Sequence, residues 1–331
     1  MKIEFLEILR CPVSEEKLEI HNPVYENDEI KTGFLISKSN NYTYPIINFI
    51  PRFVPETNYA DNFGMQWNRF SQTLLDSFSG HPISADRFWK STGWNKDAIS
   101  NNWILDVGCG AGRFAEIALE AGSKVVALDF SNSVDACYKN LKHFNNLHVI
   151  QADIYAIPLQ KNFFPFIYSL GVLQHTPNVA KAFSALPKMV KKDGALCTDY
   201  YWKRLSTMLH SKYLFRPITK RMNQDKLFKL LEKFTPGLLR ISKLLDSIPF
   251  FGKYLKRLIP VANYIKTYPL NENQIKEWAL MDTFDMLAPK YDNPQNERTI
   301  KNWMKNAGFK NIQIFHSTLL VARGTKNQHN T

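Results

Sequence analysis

Three glycines at alternate positions, Gly108, Gly110 and Gly112, separate a short apolar run (103–107) from a helical pattern that begins near Phe114. This order predicts a strand, a tight glycine loop and a helix. In such a unit the backbone approaches a ligand closely, and the first N–H groups of the helix point at it. The stretch therefore predicts a ligand site built into an α/β fold, because strands that alternate with helices form such sheets.

The spacing of the loop separates two kinds of ligand. A dinucleotide fingerprint places its third glycine three residues after the second, and that position is Arg113 here. Asp106, directly before the loop, would repel a pyrophosphate but suits a ligand amine. The loop therefore favours a nucleoside joined to an amino acid over a diphosphate. Tight turns also use glycine for structural reasons alone, so the later segments have to decide whether this loop binds a ligand.

Those later segments supply more strands, each followed by a polar residue. Strand 124–130 ends in Asp129, about twenty residues after the loop, where an acid can hold a ribose diol. Asp153 follows strand 147–151, and His175 follows strand 166–170. A helix at 179–190, a fifth strand at 195–201, a helix at 296–307 and a last pair of strands at 312–315 and 318–321 complete the pattern. The prediction is a doubly wound sheet of seven strands, with its ligand beyond the carboxyl ends of the parallel strands.

Four motifs in this order resemble the class I S-adenosylmethionine (SAM) methyltransferases. They are Leu-Asp-Val-Gly-Cys-Gly-Ala-Gly at 105–112, the acid Asp129, Ala-Asp at 152–153, and Ser-Leu-Gly-Val-Leu-Gln-His at 169–175. The resemblance implies a Rossmann-like methyltransferase sheet and SAM as the methyl donor. It also implies a set of cofactor-binding residues: Asp106, Gly108, Cys109, Gly110, Gly112, Asp129, Phe130, Asp153, Ile154 and Leu170. Within this set, Asp129 is expected at the ribose hydroxyls and Asp153 at the adenine amine.

The stretches Leu-Glu-Ile-Leu-Arg-Cys-Pro at 6–12 and Tyr-Pro-Ile-Ile-Asn-Phe-Ile-Pro-Arg-Phe at 44–53 resemble the ends of a small zinc-ribbon module that partners or precedes methyltransferase domains, so residues 1–55 are expected to form such a module. A ribbon of this kind needs two Cys-x-x-Cys pairs, but the four positions here are Cys11, Ser14, Ser37 and Asn40. One thiolate cannot hold a structural zinc, so we expect a degenerate, metal-free and β-rich module. No metal site is expected elsewhere, because the eight histidines are dispersed without paired ligand spacing.

The rest of the chain divides into a methyltransferase core (56–202), a basic helical insertion after strand five (203–270) and a C-terminal part of the fold (271–325). Residues 203–262 carry 14 Lys and Arg against three acids, whereas the whole chain has a formal net charge of +12. Leucines and phenylalanines recur among these charges at helical spacing. One interpretation is a helical cap whose cations are merely solvated. Another is a lid that attracts an anionic partner, with an anionic membrane surface as a candidate.

The sequence offers fewer candidates for catalytic residues than for cofactor-binding residues. His175 is the first choice of base, since an unperturbed histidine pKa of ~6.5 suits deprotonation of an acceptor hydroxyl or amine. The alternative is that it only shapes the pocket. Asp285 is the second candidate, with Asp282 as a rival, and both lie in a segment that faces the active site in similar enzymes. Tyr200 and Tyr201 are candidates for substrate contact.

Three functions follow from these patterns. The first is an enzyme that methylates an O or N atom of a small-molecule, sugar or lipid-linked acceptor. The second is a tRNA or rRNA methyltransferase recruited through the basic insertion. It is less expected, because strand four carries Ser-Leu-Gly-Val at 169–172 instead of the Asn/Asp-Pro-Pro-aromatic tetrad of base amino methylases. A non-catalytic SAM-binding scaffold is disfavoured by the intact cofactor motifs.

The expected location is the cytoplasm, with peripheral association to a membrane. Four scattered cysteines indicate free thiols in a reducing compartment, and no apolar run approaches the ~18–20 residues of a membrane span. The oligomeric state cannot be predicted from these patterns.

Overall fold

The computed structural model describes residues 1–39, 42–55, 60–204, 211–248, 251–255 and 258–327. The strands are β1 (Glu19–Glu26), β2 (Glu29–Ile36), β3 (Thr43–Ile47), β4 (Ile50–Pro51), β5 (Trp103–Val107), β6 (Lys124–Asp129), β7 (Leu147–Gln151), β8 (Phe164–Ser169), β9 (Val190–Tyr200), β10 (Phe309–His316) and β11 (Leu320–Lys326). The α-helices are α1 (Asp61–Arg69), α2 (Asp76–Ser79), α3 (Ile83–Thr92), α4 (Lys96–Ile99), α5 (Arg113–Glu120), α6 (Ser133–Leu141), α7 (Val179–Met189), α8 (Lys212–Thr219), α9 (Gln224–Asp246), α10 (Gly252–Leu255), α11 (Glu272–Leu287) and α12 (Glu297–Asn306). Short 3-10 helices span Ile3–Glu7, Ile154–Ala156 and Leu173–His175.

The larger sheet has seven strands in the order β10-β11-β9-β8-β5-β6-β7. Strands β5 to β9 pair in parallel, β11 is antiparallel to β9, and β10 is antiparallel to β11. The parallel strands are apolar and buried, as expected where helices cover both faces of a sheet. The predicted doubly wound sheet of seven strands is therefore confirmed. Strand β5 lies between β6 and β8, which is the switch point where such sheets bind their ligands.

The ends of several elements differ from the sequence prediction. Strand β9 begins at Val190 rather than at residue 195, and β11 runs to Lys326 rather than to residue 321. The added residues are largely polar, and three of them at the start of β9 are exposed. They are extended because neighbouring strands pair with them, for example Phe164 with Val190. Such pairing leaves no hydrophobic period for a sequence reading to detect.

The N-terminal sheet is antiparallel, in the order β1-β2-β3-β4, and packs on the core near β7. Arg52 forms an ion pair with Asp135 (2.6 Å) and donates a hydrogen bond to the side chain of Gln151 (2.8 Å). The ring of Phe5 stacks on His148, with centroids 4.8 Å apart. The small module and the large sheet thus share apolar and polar contacts.

The insertion is helical, as predicted, and rests on α11. The ring of Phe228 in α9 lies 5.8 Å from that of Phe284. In α8, the Arg216 side chain donates a hydrogen bond to the backbone carbonyl of Met286. The Thr219 hydroxyl of the same helix donates to the backbone carbonyl of Leu287. No helix within the described ranges is long and apolar enough to cross a membrane.

Candidate active site

A cavity of about 690 Å³ lies at the carboxyl ends of the parallel strands. Its walls include residues that follow β5 (Gly108–Ala111), β6 (Asp129 and Phe130), β7 (Ile154) and β8 (Leu170–Thr176). Its volume falls in the usual range of ligand pockets, about 300–1,000 Å³. The fold thus brings most of the predicted site residues to one place.

The glycine loop has backbone conformations and neighbours that exclude other side chains. Gly108 has φ +86°, and a Cβ built there would lie 2.3 Å from the side chain of Val172. Gly110 has φ +53° and lies against the ring of Trp67, whose Nε1 would be 3.3 Å from such a Cβ. Gly112, with φ +97°, is the N-cap of α5. The loop needs glycine for both its backbone conformation and its packing, and its Cβ-free surface leaves room for a ligand.

Asp129 fixes the position of this loop. One carboxylate oxygen accepts a hydrogen bond from the backbone N–H of Gly110 at 3.0 Å. The other accepts bonds from the backbone N–H and the hydroxyl of Ser131, both at 2.8 Å. Asp129 also lines the cavity. The acid predicted to hold ribose hydroxyls therefore lies beside the loop, in an orientation set by three donors.

Two other predicted cofactor ligands lie outside the cavity wall. Asp106 is 2% exposed, burial raises its pKa well above the usual range, and its Oδ2 has no hydrogen-bond partner within the described part of the chain. Asp153 accepts from the backbone N–H of Tyr155 at 2.9 Å and caps the short helix Ile154–Ala156. Burial raises the pKa of Asp153 as well. The cofactor roles of both acids stay predictions.

His175 lines the cavity and has a defined tautomer. Its Nδ1 lies 3.1 Å from the carbonyl oxygen of Tyr291. A carbonyl oxygen only accepts, so Nδ1 carries the proton and Nε2 of the neutral ring keeps a lone pair. The edges of Phe63 and Tyr201 pack against the imidazole, with centroids 5.3 and 5.4 Å away.

Two acids on α11 share the cavity with His175. The Tyr201 hydroxyl donates to Asp285 at 3.4 Å, and burial followed by the charge of Asp285 raises the pKa of Tyr201. Asp282 accepts from the Tyr264 hydroxyl, and burial raises its pKa to about 6. Tyr201 thus contacts both predicted catalytic residues, His175 and Asp285. Tyr200, the other tyrosine predicted at the substrate, is fully buried on the opposite side of the strand, outside the cavity wall.

The sequence analysis did not identify two arginines that line the cavity, Arg87 and Arg113, or the buried acid Asp199 that pairs with one of them. Arg87 forms a buried ion pair with Asp199 (2.7 Å), which also accepts from the backbone N–H of Gly171. Arg113 bonds through Nε to Ser84 (2.9 Å), and burial and the charge of Arg87 lower its pKa to about 10. Asp199 lies at the end of β9, so the strand-end rule could have identified it. Arg87 lies on α3 and carries no signal in the sequence.

Three of the four zinc-ribbon positions converge in the N-terminal module. The backbone N–H of Ser14 lies 3.5 Å from Sγ of Cys11, and the hydroxyls of Ser14 and Ser37 are 3.3 Å apart. The carboxylate of Glu16 accepts a hydrogen bond from Ser37. The fourth position, Asn40, lies outside the described residues. Among the described residues no group of three or more His, Cys, Asp or Glu could hold a metal ion.

Residues 105–198 match a protein-family model described as a methyltransferase domain. The matched segment holds the glycine loop, Asp129 and His175. This match agrees with the enzyme class expected from the sequence, a SAM-dependent methyltransferase, and with SAM as the methyl donor.

The relatives have different acceptors. The tRNA U34 carboxymethyltransferase of Pseudoalteromonas atlantica is 28% identical over 176 residues, which is 50% of this chain and 49% of that protein. The chain thus spans about half the length of this relative. The demethylmenaquinone methyltransferase of Staphylococcus haemolyticus is 23% identical over 263 residues, which is 76% of this chain and 84% of that one.

Among solved structures, the magnesium protoporphyrin IX methyltransferase of Synechocystis, with bound S-adenosylhomocysteine, is 12% identical. The match covers 81% of this chain and 97% of that one, with a TM-score of 0.43.

The cavity fits SAM. The glycine loop presents a surface without Cβ atoms, and Asp129 offers a carboxylate beside it. Four more of the predicted cofactor-binding residues also line the wall, namely Cys109, Phe130, Ile154 and Leu170. The individual contacts of these residues with the cofactor stay predictions.

Proposed function

We propose that this protein transfers a methyl group from SAM to an oxygen or nitrogen atom of a small-molecule, sugar or lipid-linked acceptor. The observation that carries the proposal is that one cavity holds both the loop anchored by Asp129 and the cluster of His175, Tyr201 and Asp285. SAM supplies a methyl group already activated as a sulfonium. The protein has then to orient the acceptor and accept its proton.

His175 is the proposed base. Its Nδ1–H donates to the carbonyl of Tyr291, which leaves Nε2 as the proton acceptor. Asp285 holds the hydroxyl of Tyr201, whose ring packs on the imidazole, so this pair positions His175 and contacts the acceptor. Asp282, with a pKa of about 6, is a second group able to exchange a proton near neutral pH.

Aromatic side chains favour a small or lipid-linked acceptor. The rings of Tyr264, Tyr268 and Trp278 line the cavity and pack on one another at centroid distances of 5.4–5.5 Å. Such a wall suits an apolar or planar acceptor, because aromatic groups bury large areas in defined geometry. Of the two relatives named above, the one that matches more of this chain is named for demethylmenaquinone.

RNA is the alternative acceptor. It is supported by the tRNA relative and by the basic insertion, near the start of which Arg204 and Lys212 line the cavity. It remains the second candidate, because the relative named for tRNA matches 50% of this chain and the one named for demethylmenaquinone matches 76%. A flipped base could also stack on the aromatic wall, so the labelling experiment has to separate the two acceptors.

The organisation of the chain completes the proposal. Residues 1–55 are proposed as a metal-free remnant of a zinc ribbon, 56–202 and 271–325 as the methyltransferase fold, and 203–270 as its lid. The convergence of Cys11, Ser14 and Ser37 supports the first of these assignments. We propose a cytoplasmic protein that associates with a membrane surface through residues 203–262.

Purified protein and methyl-tritiated SAM, incubated with a cell extract, test the function. The extract is then separated into organic-soluble, small polar and RNA fractions. Label in either of the first two supports the proposal, and label confined to RNA establishes the alternative. Heat-denatured protein is the control for label carried over without transfer. If the native protein transfers no more label than the denatured protein into any fraction, the proposal of methyl transfer is wrong.

A further inference from the structure

One side of α9 carries apolar side chains that face solvent. Leu230, Phe234, Ile241 and Leu244 are 43, 51, 46 and 70% exposed. Their spacing of four, seven and three residues places them on a single face of the helix. We call these four residues the apolar stripe. Part of the apolar pattern of residues 203–262 therefore faces solvent instead of the core.

A different face of the same helix packs on the fold. Leu227, Phe228 and Leu231 are buried, and the ring of Phe228 lies 5.8 Å from both Phe70 and Phe284. The helix is therefore anchored without the stripe. A helix with separate buried and exposed apolar faces has a second surface to cover.

Cations run along the stripe. Lys226, Lys233 and Arg240 are exposed and recur every seven residues, which places them in a row next to the stripe on the helix surface. The neighbouring helix α8 continues the pattern, since Leu214 and Ile218 are 75 and 68% exposed. Residues 203–262 as a whole carry 14 Lys and Arg against three acids.

We infer that α8 and α9 dock on an anionic lipid bilayer, with the apolar stripe in the headgroup boundary and the row of cations at the level of the lipid phosphates. A symmetric contact between two copies through this face would bring two rows of cations together, which charge repulsion disfavours. Nucleic acid would engage the cations but offers nothing apolar for Leu244. The charge pattern therefore favours a bilayer among the possible occupants.

The position of the insertion indicates a role for the docking in acceptor access, and this role rests on the proposed function. Arg204 and Lys212 line the cavity, and α9 packs on the helix that carries Asp282 and Asp285. The segment that meets the bilayer is thus the segment that borders the acceptor side of the cavity. A lipid-linked acceptor would reach the site without leaving the membrane surface.

Vesicle sedimentation tests the docking without any measure of activity. Purified protein is mixed with vesicles of phosphatidylcholine alone or of phosphatidylcholine with phosphatidylglycerol. The stripe variant is Phe234→Ser/Ile241→Ser/Leu244→Ser, and the charge variant is Lys226→Glu/Lys233→Glu/Arg240→Glu. Each cation near an anionic surface contributes about a fivefold gain in affinity, so the charge variant should lose binding by about a hundredfold. The stripe variant should lose about tenfold or more.

Matched controls change similar residues elsewhere. Val24→Ser/Tyr25→Ser removes two apolar side chains of the N-terminal sheet that are 56 and 55% exposed, and Lys301→Glu/Lys305→Glu reverses two exposed charges on α12. Both should bind vesicles as the wild type does. A thermal shift with S-adenosylhomocysteine shows that each variant is folded, and this readout is independent of the acceptor and of methyl transfer.

Four outcomes would overturn the inference. One is equal or absent binding of the wild type to both kinds of vesicle. Another is loss of binding in the controls to the same degree as in the stripe variant. The third is a wild-type dimer that the stripe variant converts to a monomer. The fourth is tRNA binding that depends on the cations but not on the stripe. Lower affinity at higher salt is expected for the wild type, because exposed charges are screened beyond ~10 Å at 0.1 M.

Discussion

The carboxylate of Asp129 at the end of β6 accepts a hydrogen bond from the backbone N–H of Gly110, at 3.0 Å. This contact joins two features that are separated in the sequence and couples the shape of the glycine loop to the acid beside it. Because Ser131 donates twice to the other carboxylate oxygen, the side chain is fixed before any ligand arrives. Less ordering is then required on binding, which favours affinity.

The first prediction concerns the cofactor. Asp129→Ala should remove most of the thermal shift that S-adenosylhomocysteine gives the wild type. A ligand stabilises the folded state by about 2.7 kcal/mol at a hundredfold excess over Kd, and the variant loses both the ligand contact and the anchored loop. Differential scanning fluorimetry across a range of ligand concentrations measures the effect.

A control separates the contact from the anchoring of the loop. Ser131→Ala removes one donor to Asp129, the Ser131 hydroxyl, and leaves the carboxylate at the cavity, so it should keep most of the shift. If Asp129→Ala shows the full shift, Asp129 does not hold the ribose.

The second prediction concerns proton removal. His175→Gln should lower kcat by about 10²- to 10⁴-fold, the usual contribution of a general base, and leave binding of S-adenosylhomocysteine unchanged. Asp285→Asn should have a smaller effect, because it acts through Tyr201. Steady-state kinetics with the acceptor found in the labelling experiment measure both.

The acid Asp282 provides the comparison for that pair. If Asp282→Asn abolishes turnover while His175→Gln retains it, the base is the carboxyl group and His175 only shapes the pocket. A proton acceptor with a pKa of about 6 would then make the rate rise with pH through that value.

Much of the fold and of the cofactor half of the site follows from local patterns. The alternation of buried strands and helices predicted the seven-stranded sheet. The rule that ligands lie beyond strand ends collected Asp129, His175 and the first two glycines of the loop, Gly108 and Gly110, all of which line the cavity. These features are readable because each depends on a few neighbouring residues: a conformation that only glycine adopts, or an acid one position after an apolar run.

The rest depends on contacts that no local pattern encodes. Arg87 reaches the cavity from α3 only because Asp199, over a hundred residues later, offers a buried carboxylate. The exposure of Leu244 depends on which face of α9 meets α11, and periodicity alone cannot distinguish the two apolar faces of one helix. Asp106 and Asp153 were also expected from the strand-end rule. Asp106 instead lies within β5 and is buried, and Asp153 caps the short helix that follows β7.

The third prediction concerns the N-terminal module. Cys11, Ser14 and Ser37 lie close together, which agrees with the proposed origin of the module from a zinc ribbon that has lost its thiolates. The wild type should carry no stoichiometric zinc, and Ser14→Cys/Ser37→Cys/Asn40→Cys should bind one zinc per chain, since four thiolates make a closed structural site. Elemental analysis of purified protein measures both. Stoichiometric zinc in the wild type, or none in a folded triple variant, contradicts the proposed origin of the module.

The last prediction concerns stability against pH. His148 lies between the rings of Phe5 and Trp103 where the N-terminal module meets β7, and burial lowers its pKa to about 3. In the unfolded chain the same ring binds a proton below ~6.5, so the unfolded state holds more protons between these values. The contribution of neutral, buried His148 to the free energy of unfolding should therefore be fully present above pH ~6.5 and decrease as the pH falls.

The loss of unfolding free energy between pH 8 and pH 5 from this group should be about 2 kcal/mol. Urea unfolding at several pH values measures this loss, and His148→Phe should show a correspondingly smaller loss. His143→Gln, which changes an exposed histidine five residues earlier in the chain, should behave as the wild type. Equal pH dependence in wild type and His148→Phe would show that this histidine is not buried in its neutral form.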